Sequence, residues 1–284
     1  MLFATTGEVL AERSGVINLG LEGSMLMGGV SAAYVQLTTG NALLAIGAGL
    51  LGGAVLGLLH GVLVVVGRIG VLASGLCLFF VGRGFSAFWG QQIVGQQLSG
   101  LSPLCVPWLG RIPVLGEAVF HQDALVYVAT AFAFATWFAL FRTRWGLLIR
   151  AAGEDAGVAH AEGVPVRTLR IVCAGVGSGL AGLGGAHIVL AFAHTWLNDL
   201  TAGRGWVAIG LVILARWNPL FALPVAYAFG GVMSLQLNAQ AAGLPISQYL
   251  MAMLPYALTV LVLAFAQSWS RGSGMPAELA RLSD

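Results

Sequence analysis

Residues 43–66, LLAIGAGLLGGAVLGLLHGVLVVV, run without one Asp, Glu, Lys or Arg. A stretch of about 20 apolar residues is what a helix needs to cross the ~30 Å hydrocarbon core of a bilayer. Comparable stretches recur near 15–37, 70–90, 124–141, 171–193, 205–217, 219–237 and 246–266. Several are short or interrupted by glycine, so the pattern predicts about eight spans with some broken helices. Composition agrees: 58% of the 284 residues are hydrophobic and 8% charged, against about 25% charged in soluble domains. The expected fold class is therefore all-α, a polytopic helical membrane protein forming a single transmembrane domain over residues 1–284.

Glycine is the most informative single count, at 41. Small residues let helices approach closely in lipid, where no hydrophobic drive holds them together. Gly49, Gly53, Gly57 and Gly61 recur every four residues and predict one continuous packing stripe. The 13 basic residues are all arginine, which excludes a phosphate-binding P-loop, since that loop needs a lysine. A net charge of +2 gives no reason to expect a nucleic-acid partner. Cys77, Cys105 and Cys173 are too scattered for a disulfide framework or a zinc site. The amino end has no cleavable signal pattern, so the first spans are expected to act as the targeting signal.

Arginine placement orients the spans, because short cytoplasmic loops hold the excess of positive charge. With the amino end inside, Arg13, Arg68, Arg142, Arg144, Arg150, Arg167, Arg170, Arg216, Arg271 and Arg281 fall on the cytoplasmic side. Arg111 and Arg204 fall outside. Both termini are then cytoplasmic, 142–170 is a cytoplasmic loop, and 91–123 is extracytoplasmic.

Polar groups within the apolar runs are few. Asn18 and Glu22 lie four apart among Gly15, Gly20 and Gly23, a pattern that predicts a discontinuous helix with both side chains on one inward face. A carboxylate there costs about 3 kcal/mol on insertion scales and is seldom kept without a role. That role is either to line a solute pathway or to satisfy backbone groups freed by the break. His187 and Asn198 are further pathway candidates. His187 and His194, seven apart, are too few ligands for a metal, and no metal or other cofactor is expected. Catalytic residues are also not expected, because the chain has neither a GxSxG elbow nor an HExxH helix.

The loop 142–170 holds five of the arginines and three acidic residues, Glu154, Asp155 and Glu162. Its centre predicts a short helix bounded by Gly153 and Gly163, with Pro165 beyond. So short a helix is marginal alone in water and would be ordered by docking on another protein.

ERSGVINLGLEGSMLMGG at 12–29 is paired with GLLIRAAGEDAGVAHAEGVPV at 146–166, and with GLAGLGGA at 179–186 and GRGWVAIGLVILARWNP at 203–219. Together these resemble the permease subunits of bacterial ABC importers for simple sugars and nucleosides, and more distantly those for ribose and branched-chain amino acids. The resemblance implies an importer-type permease bundle in the inner membrane that moves nucleosides or related nucleobase-like solutes, or alternatively simple sugars. It implies an ABC ATPase subunit, a second permease chain (a paralogue or a copy of itself) and a periplasmic or lipoprotein solute-binding protein as partners, with lipid around the bundle. Gly153, Glu154, Asp155 and Gly163 would belong to the coupling helix at 151–163, held by the ATPase. Family members commonly carry more apolar sequence before the first motif, so the resemblance leaves the span count open by one. Outside the family, an ion-coupled secondary transporter or channel would use Glu22 as its ion site.

Overall fold

The computed structural model describes residues 1–101, 104–105, 121–242 and 274–280, with single positions 250, 253, 257 and 260. The helices are α1 (Leu2–Arg13), α2 (Leu21–Thr39), α3 (Ala42–Val65), α4 (Val71–Gly90), α5 (Ala124–Arg142), α6 (Arg144–Glu154), α7 (Ala156–Ala161), α8 (Val166–His187), α9 (Arg204–Leu214), α10 (Pro219–Ala241) and α11 (Ala277–Ala280). A π-helical turn, Ile188–Ala193, extends α8. Among the described residues the fold is all-α apart from one two-residue pairing, β1 (Leu104–Cys105) with β2 (His121–Gln122), and the isolated bridges Val94 to Trp196 and Gln97 to Thr195.

Helix α8 is the axis of the bundle, buried along most of its length. The glycine stripe of α3 faces it. A Cβ on Gly53 would stand 2.7 Å from the Gly182 Cα, and one on Gly61 2.8 Å from the Ile171 Cα. Contact this close brings many weak dispersion contacts together. The far face of α3 exposes Leu43, Leu51, Val55 and Leu59, as a lipid-facing surface would.

Among the described residues, five helical stretches are long and apolar enough to cross a membrane: Ala42–Val65, Val71–Ile93, Ala124–Arg142, Val166–Ala193 and Pro219–Gln240. The remaining expected spans differ in instructive ways. The first, 15–37, begins only at Leu21, because residues 14–20 form a non-helical segment with Gly15 at φ 91°. The residues before it are a separate helix, α1, buried on nearly all sides, and Met1 packs against the apolar cluster around Leu183 and Leu211. Met1 and α1 thus pack within the helix bundle. The sixth, 205–217, is the 11-residue α9, which at 1.5 Å per residue is about 16 Å long. The eighth, 246–266, lies almost wholly outside the described residues.

Helix directions follow from their partners along α8. Gly7 meets Gly177 and Gly15 meets Arg170, so α1 runs antiparallel to α8. Asn18 meets Ser178, Met25 meets Gly185 and Gly29 meets Val189, so α2 runs parallel to it. Between them the 14–20 segment doubles back to the middle of α8, where α2 begins. Residues 194–203 do the reverse. Trp196 packs beside Gly29, yet Gly203 and Gly205 reach Glu22 at the start of α2. Hence α2 and α9 both start half-way through the bundle and leave it in opposite directions.

Candidate functional site

The two helix starts meet at Glu22. Its Oε1 accepts from the Thr201 hydroxyl at 2.5 Å and from the Gly203 amide at 2.8 Å, and its Oε2 accepts from the Gly205 amide at 2.6 Å. The first amides of a helix have no partner within it and carry partial positive charge, so a carboxylate is the natural cap. Position 205 must be glycine, since a Cβ there would stand 2.5 Å from the Glu22 Cα. Glu22 is 5% exposed.

Asn18 belongs to the extended segment instead of a shared helix face. Its side chain donates to Ser178 Oγ at 2.7 Å and accepts from the Gly20 amide at 2.8 Å. The sequence pattern puts Asn18 and Glu22 together, but the structure gives them different partners, because the chain turns between them at Gly20. The other freed backbone groups also find side chains. The Asn18 amide donates to Glu8 at 2.7 Å, the Ile17 carbonyl lies 3.0 Å from His60 Nε2, and Arg170 donates to the Ser14 carbonyl at 3.0 Å. His60 Nδ1 is in turn 3.0 Å from Ser74 Oγ. Glu8 and His60 are junction residues the sequence reading missed; Glu8 and Glu12, four apart in an apolar helix, were the available signal.

This junction is tied to the 142–170 loop. The Trp217 indole donates to Glu12, and Arg13 donates to the Trp217 carbonyl at 2.8 Å. Arg170 also donates to the Ala152 carbonyl at 3.0 Å and pairs with Glu278 at 2.9 Å. Gly153 lies inside α6 against the Arg13 carbonyl, so it does not bound the expected helix. Asp155 does, ending α6 and accepting from the Val158 amide at 3.0 Å to cap α7. Glu154 accepts from the Ala277 amide at 3.3 Å. Gly163, at φ 81°, is exposed just beyond α7.

His187 and Asn198 are elsewhere. His187 Nε2 is 2.8 Å from Asp123 Oδ2, beside a cavity of about 280 Å³ lined by Leu101, Gln122, Val126 and Phe192. Burial pushes the Asp123 carboxyl up, but His187 and the Leu125 and Val126 amides outweigh it and hold the group below its ordinary value. The π turn and His194, at φ 51°, separate the two histidines, so they share no helix face. Asn198 is exposed next to Asp199. Arg204 starts α9 within the bundle, donating to the Leu200 carbonyl at 3.2 Å, and does not sit at an outer end. Among the described residues no three His, Cys, Asp or Glu gather in a metal-binding group.

Half-helices meeting inside a bundle are the architecture of a transport pathway, and the comparisons with known proteins decide which kind. The family model of the branched-chain amino acid transport system permease component matches residues 1–263. The chain belongs to that permease family. It is 36% identical to the putative glucose ABC transporter permease of Haloferax volcanii, over 94% of this chain and 88% of the relative. It is 31% identical to the guanosine ABC transporter permease of Bacillus subtilis and 32% identical to the nucleoside ABC transporter permease of Lactococcus lactis, covering 93% of this chain and 87% of the relative in each case. No solved structure matches the chain. The permease is a multi-pass membrane protein and a subunit of an ABC importer.

Proposed function

We propose that the permease carries nucleosides or related nucleobase-like solutes across the bacterial inner membrane. The observation that carries this reading is the meeting of two half-helices at Glu22, half-way through the bundle, in a chain whose relatives include a guanosine and a nucleoside permease. Simple sugars are the second reading, favoured by the glucose permease at 36% identity. A single domain over 1–284 pairs with a second permease, a paralogue or a copy of itself, and a binding protein delivers solute at the 91–123 end. The ATPase holds the exposed residues of α7 and the turn after it, Val158, His160, Glu162 and Gly163, on the cytoplasmic side, where the carboxyl terminus also lies.

Coupling then follows the contacts of the 142–170 loop. Movement of α7 shifts α6, which bears on Arg13 through Gly153. Arg170 bonds both Ala152 and Ser14, so the displacement reaches the 14–20 segment. From there it passes to the start of α2 and, through Glu22, to the start of α9. Asn18 and Glu22 act in this path as braces that keep the two helix starts together, while Asn198 faces the solute side.

The test is uptake by proteoliposomes holding the permease, its ATPase and its binding protein. Labelled guanosine and uridine should accumulate only with ATP on the ATPase side, and excess glucose should not compete. Accumulation of glucose without either nucleoside would overturn the nucleoside reading in favour of the sugar.

A further inference from the structure

Helix α4 carries one charged side chain, Arg83, inside a stretch otherwise apolar enough to span the membrane. It lies seven residues before Gly90, about 10 Å from the end of the helix. Its guanidinium grips Asp199 with two bonds, Nε to Oδ1 at 2.8 Å and Nη2 to Oδ2 at 2.7 Å. Yet both side chains are 50% exposed. Asp199 comes from the 194–203 segment, which re-enters the bundle to deliver Gly203 and Gly205 to Glu22.

A lipid-facing surface does not account for this pair. Each charge costs about 3 kcal/mol at the centre of a bilayer, and intramembrane charges nearly always face protein or a wet cavity. An arginine at this depth could reach toward the interface with its long stem, but Arg83 is spent on Asp199. Arg83 follows the exposed, apolar Leu72, Leu76 and Phe80 along one stripe of α4, at its edge with the buried face, while Val81 and Phe88 are exposed on the far side.

Beside the pair is an aromatic surface. Phe79, one turn before Arg83, stacks edge-on against Trp206 at 5.5 Å between centroids, and Trp206 is 36% exposed. Trp206 is the third residue of α9, immediately past the Gly205 amide that Glu22 holds. The surface therefore offers a donor and an acceptor in a neutral pair, next to an indole face. A charged solute would leave one member of the pair opposed to it. A neutral ring bearing hydroxyls suits both parts, with hydroxyls on the ion pair and the ring on the indole.

Resting on the importer reading above, we infer that Arg83, Asp199 and Trp206 form a solute contact in the wall of the pathway, one that takes a neutral hydroxyl-bearing ring. The sugar moiety common to nucleosides and free hexoses has this chemistry. The contact adjoins the moving junction, because Trp206 and Asp199 flank the residues that Glu22 binds. Movement of the braced α9 start relative to α4 separates Trp206 from the Arg83 side and loosens the solute.

The test uses the complete transporter in proteoliposomes, with Cys77, Cys105 and Cys173 replaced by alanine. Asn198→Cys should react with a water-soluble, membrane-impermeant thiol reagent, and saturating guanosine or glucose should slow the reaction. Val81→Cys, on the apolar face of α4, should stay unreacted. Arg83→Gln and Trp206→Leu should raise the KM for the transported solute about tenfold, the scale of one lost charge-assisted contact, while the second permease chain still co-purifies. Trp206→Phe should recover most of the loss. Guanosine and glucose arms of the uptake assay separate the two sources of the ring. Near-normal KM in both variants, or equal labelling at 81 and 198, would overturn the proposal. Loss of the second permease chain from the Arg83→Gln complex would also overturn it, by making the pair an interface clasp. Wild-type vesicles that accumulate no solute would defeat the importer reading instead, and the labelling pattern would still decide whether the pair lines a wet passage.

Discussion

The chain breaks its apolar runs twice at the same depth, at 14–20 and at 194–203, and the two breaks are built on opposite principles. In the first, Ser14, Asn18 and Glu22 are buried, the freed backbone groups are bonded to Glu8, Asn18, His60 and Arg170, and the one residue at positive φ is Gly15. The second exposes Leu197, Asn198 and Asp199. There His194, Asp199 and Ala202 take φ of 51°, 57° and 47° without being glycine. Such backbone costs of the order of 1 kcal/mol or more per residue and persists only where the surroundings impose it. The first break is a brace, closed and unstrained. The second is held at its start by the buried Trp196 and by backbone pairing of residues 194–196 with 94–98, and at its end by Glu22, at Thr201, Gly203 and Gly205, and by Arg83 at Asp199. One carboxylate of the braced break thus holds the end of the strained one.

The largest expected effect comes from cutting that hold. Glu22→Leu leaves the Thr201 hydroxyl and the Gly203 and Gly205 amides without their acceptor, and each buried group left unpaired costs about 1–3 kcal/mol. The variant should be depleted from membranes, and its thermal midpoint in detergent should fall well below that of the wild type. Glu22→Gln keeps one carbonyl oxygen but turns an amide group toward a donor, so its thermal midpoint in detergent should fall part of the way. A Leu variant as stable as the wild type would mean that the two breaks hold themselves independently.

Next in size is the link from the braced break to the 142–170 loop. Gly153→Val drives a side chain into the Arg13 carbonyl, and overpacking of this kind costs about 1–3 kcal/mol. Because Gly153 is at the rim of the bundle, the chain should still assemble, while ATP-dependent uptake falls about tenfold and ATPase association weakens with it. Uptake at the wild-type level would detach the loop from the break.

How much of this was legible in the sequence follows from the same contrast. The α3 stripe was, because a four-residue glycine repeat has one meaning along a helix. The first break was also legible, since Gly15, Gly20 and Gly23 around Asn18 and Glu22 leave no continuous helix. The partners of Glu22 were not: Thr201 to Gly205 lie some 180 positions away, and no local pattern links them. The second break was hidden because its left-handed residues are His194, Asp199 and Ala202, which advertise nothing of the kind. Residues 195–204 therefore looked like an outer loop, and α9 like a short span. Glu8 and Glu12 were passed over because α1 looked like a lead-in instead of a packed helix.

Strain in the second break gives a smaller effect. Ala202→Val puts a β-branched residue at φ 47°, where it fits worst, and should lower stability by about 1–2 kcal/mol. Ala202→Gly removes the steric penalty but gives the unfolded chain more freedom, so its stability should stay within about 1 kcal/mol of the wild type. Equal midpoints for the Val and Gly variants would mean that the backbone here relaxes freely, and the difference between the breaks would shrink.

The smallest effect lies where the π turn leads into the second break, at Asp123 and His187. Interactions that favour the charged carboxylate hold the Asp123 group below its ordinary value of 3.8 in the folded protein. A depressed carboxyl adds stability that is fully present above its unfolded value and is lost as pH falls through the folded one. The contact should therefore contribute steadily from neutral pH down to about 5 and fade below about 4. Asp123→Asn lacks the charge at every pH, so the difference between wild-type and variant melting midpoints should be constant above pH 5 and narrow below 4. Asp123 also caps α5 through the Leu125 and Val126 amides at 2.9 and 3.3 Å, a role that asparagine retains. The measured gap thus reports the charge on Asp123, with His187 as its side-chain partner. A gap that widens as the pH falls would reverse the sign of the contact and remove it as a support for the turn into the strained segment.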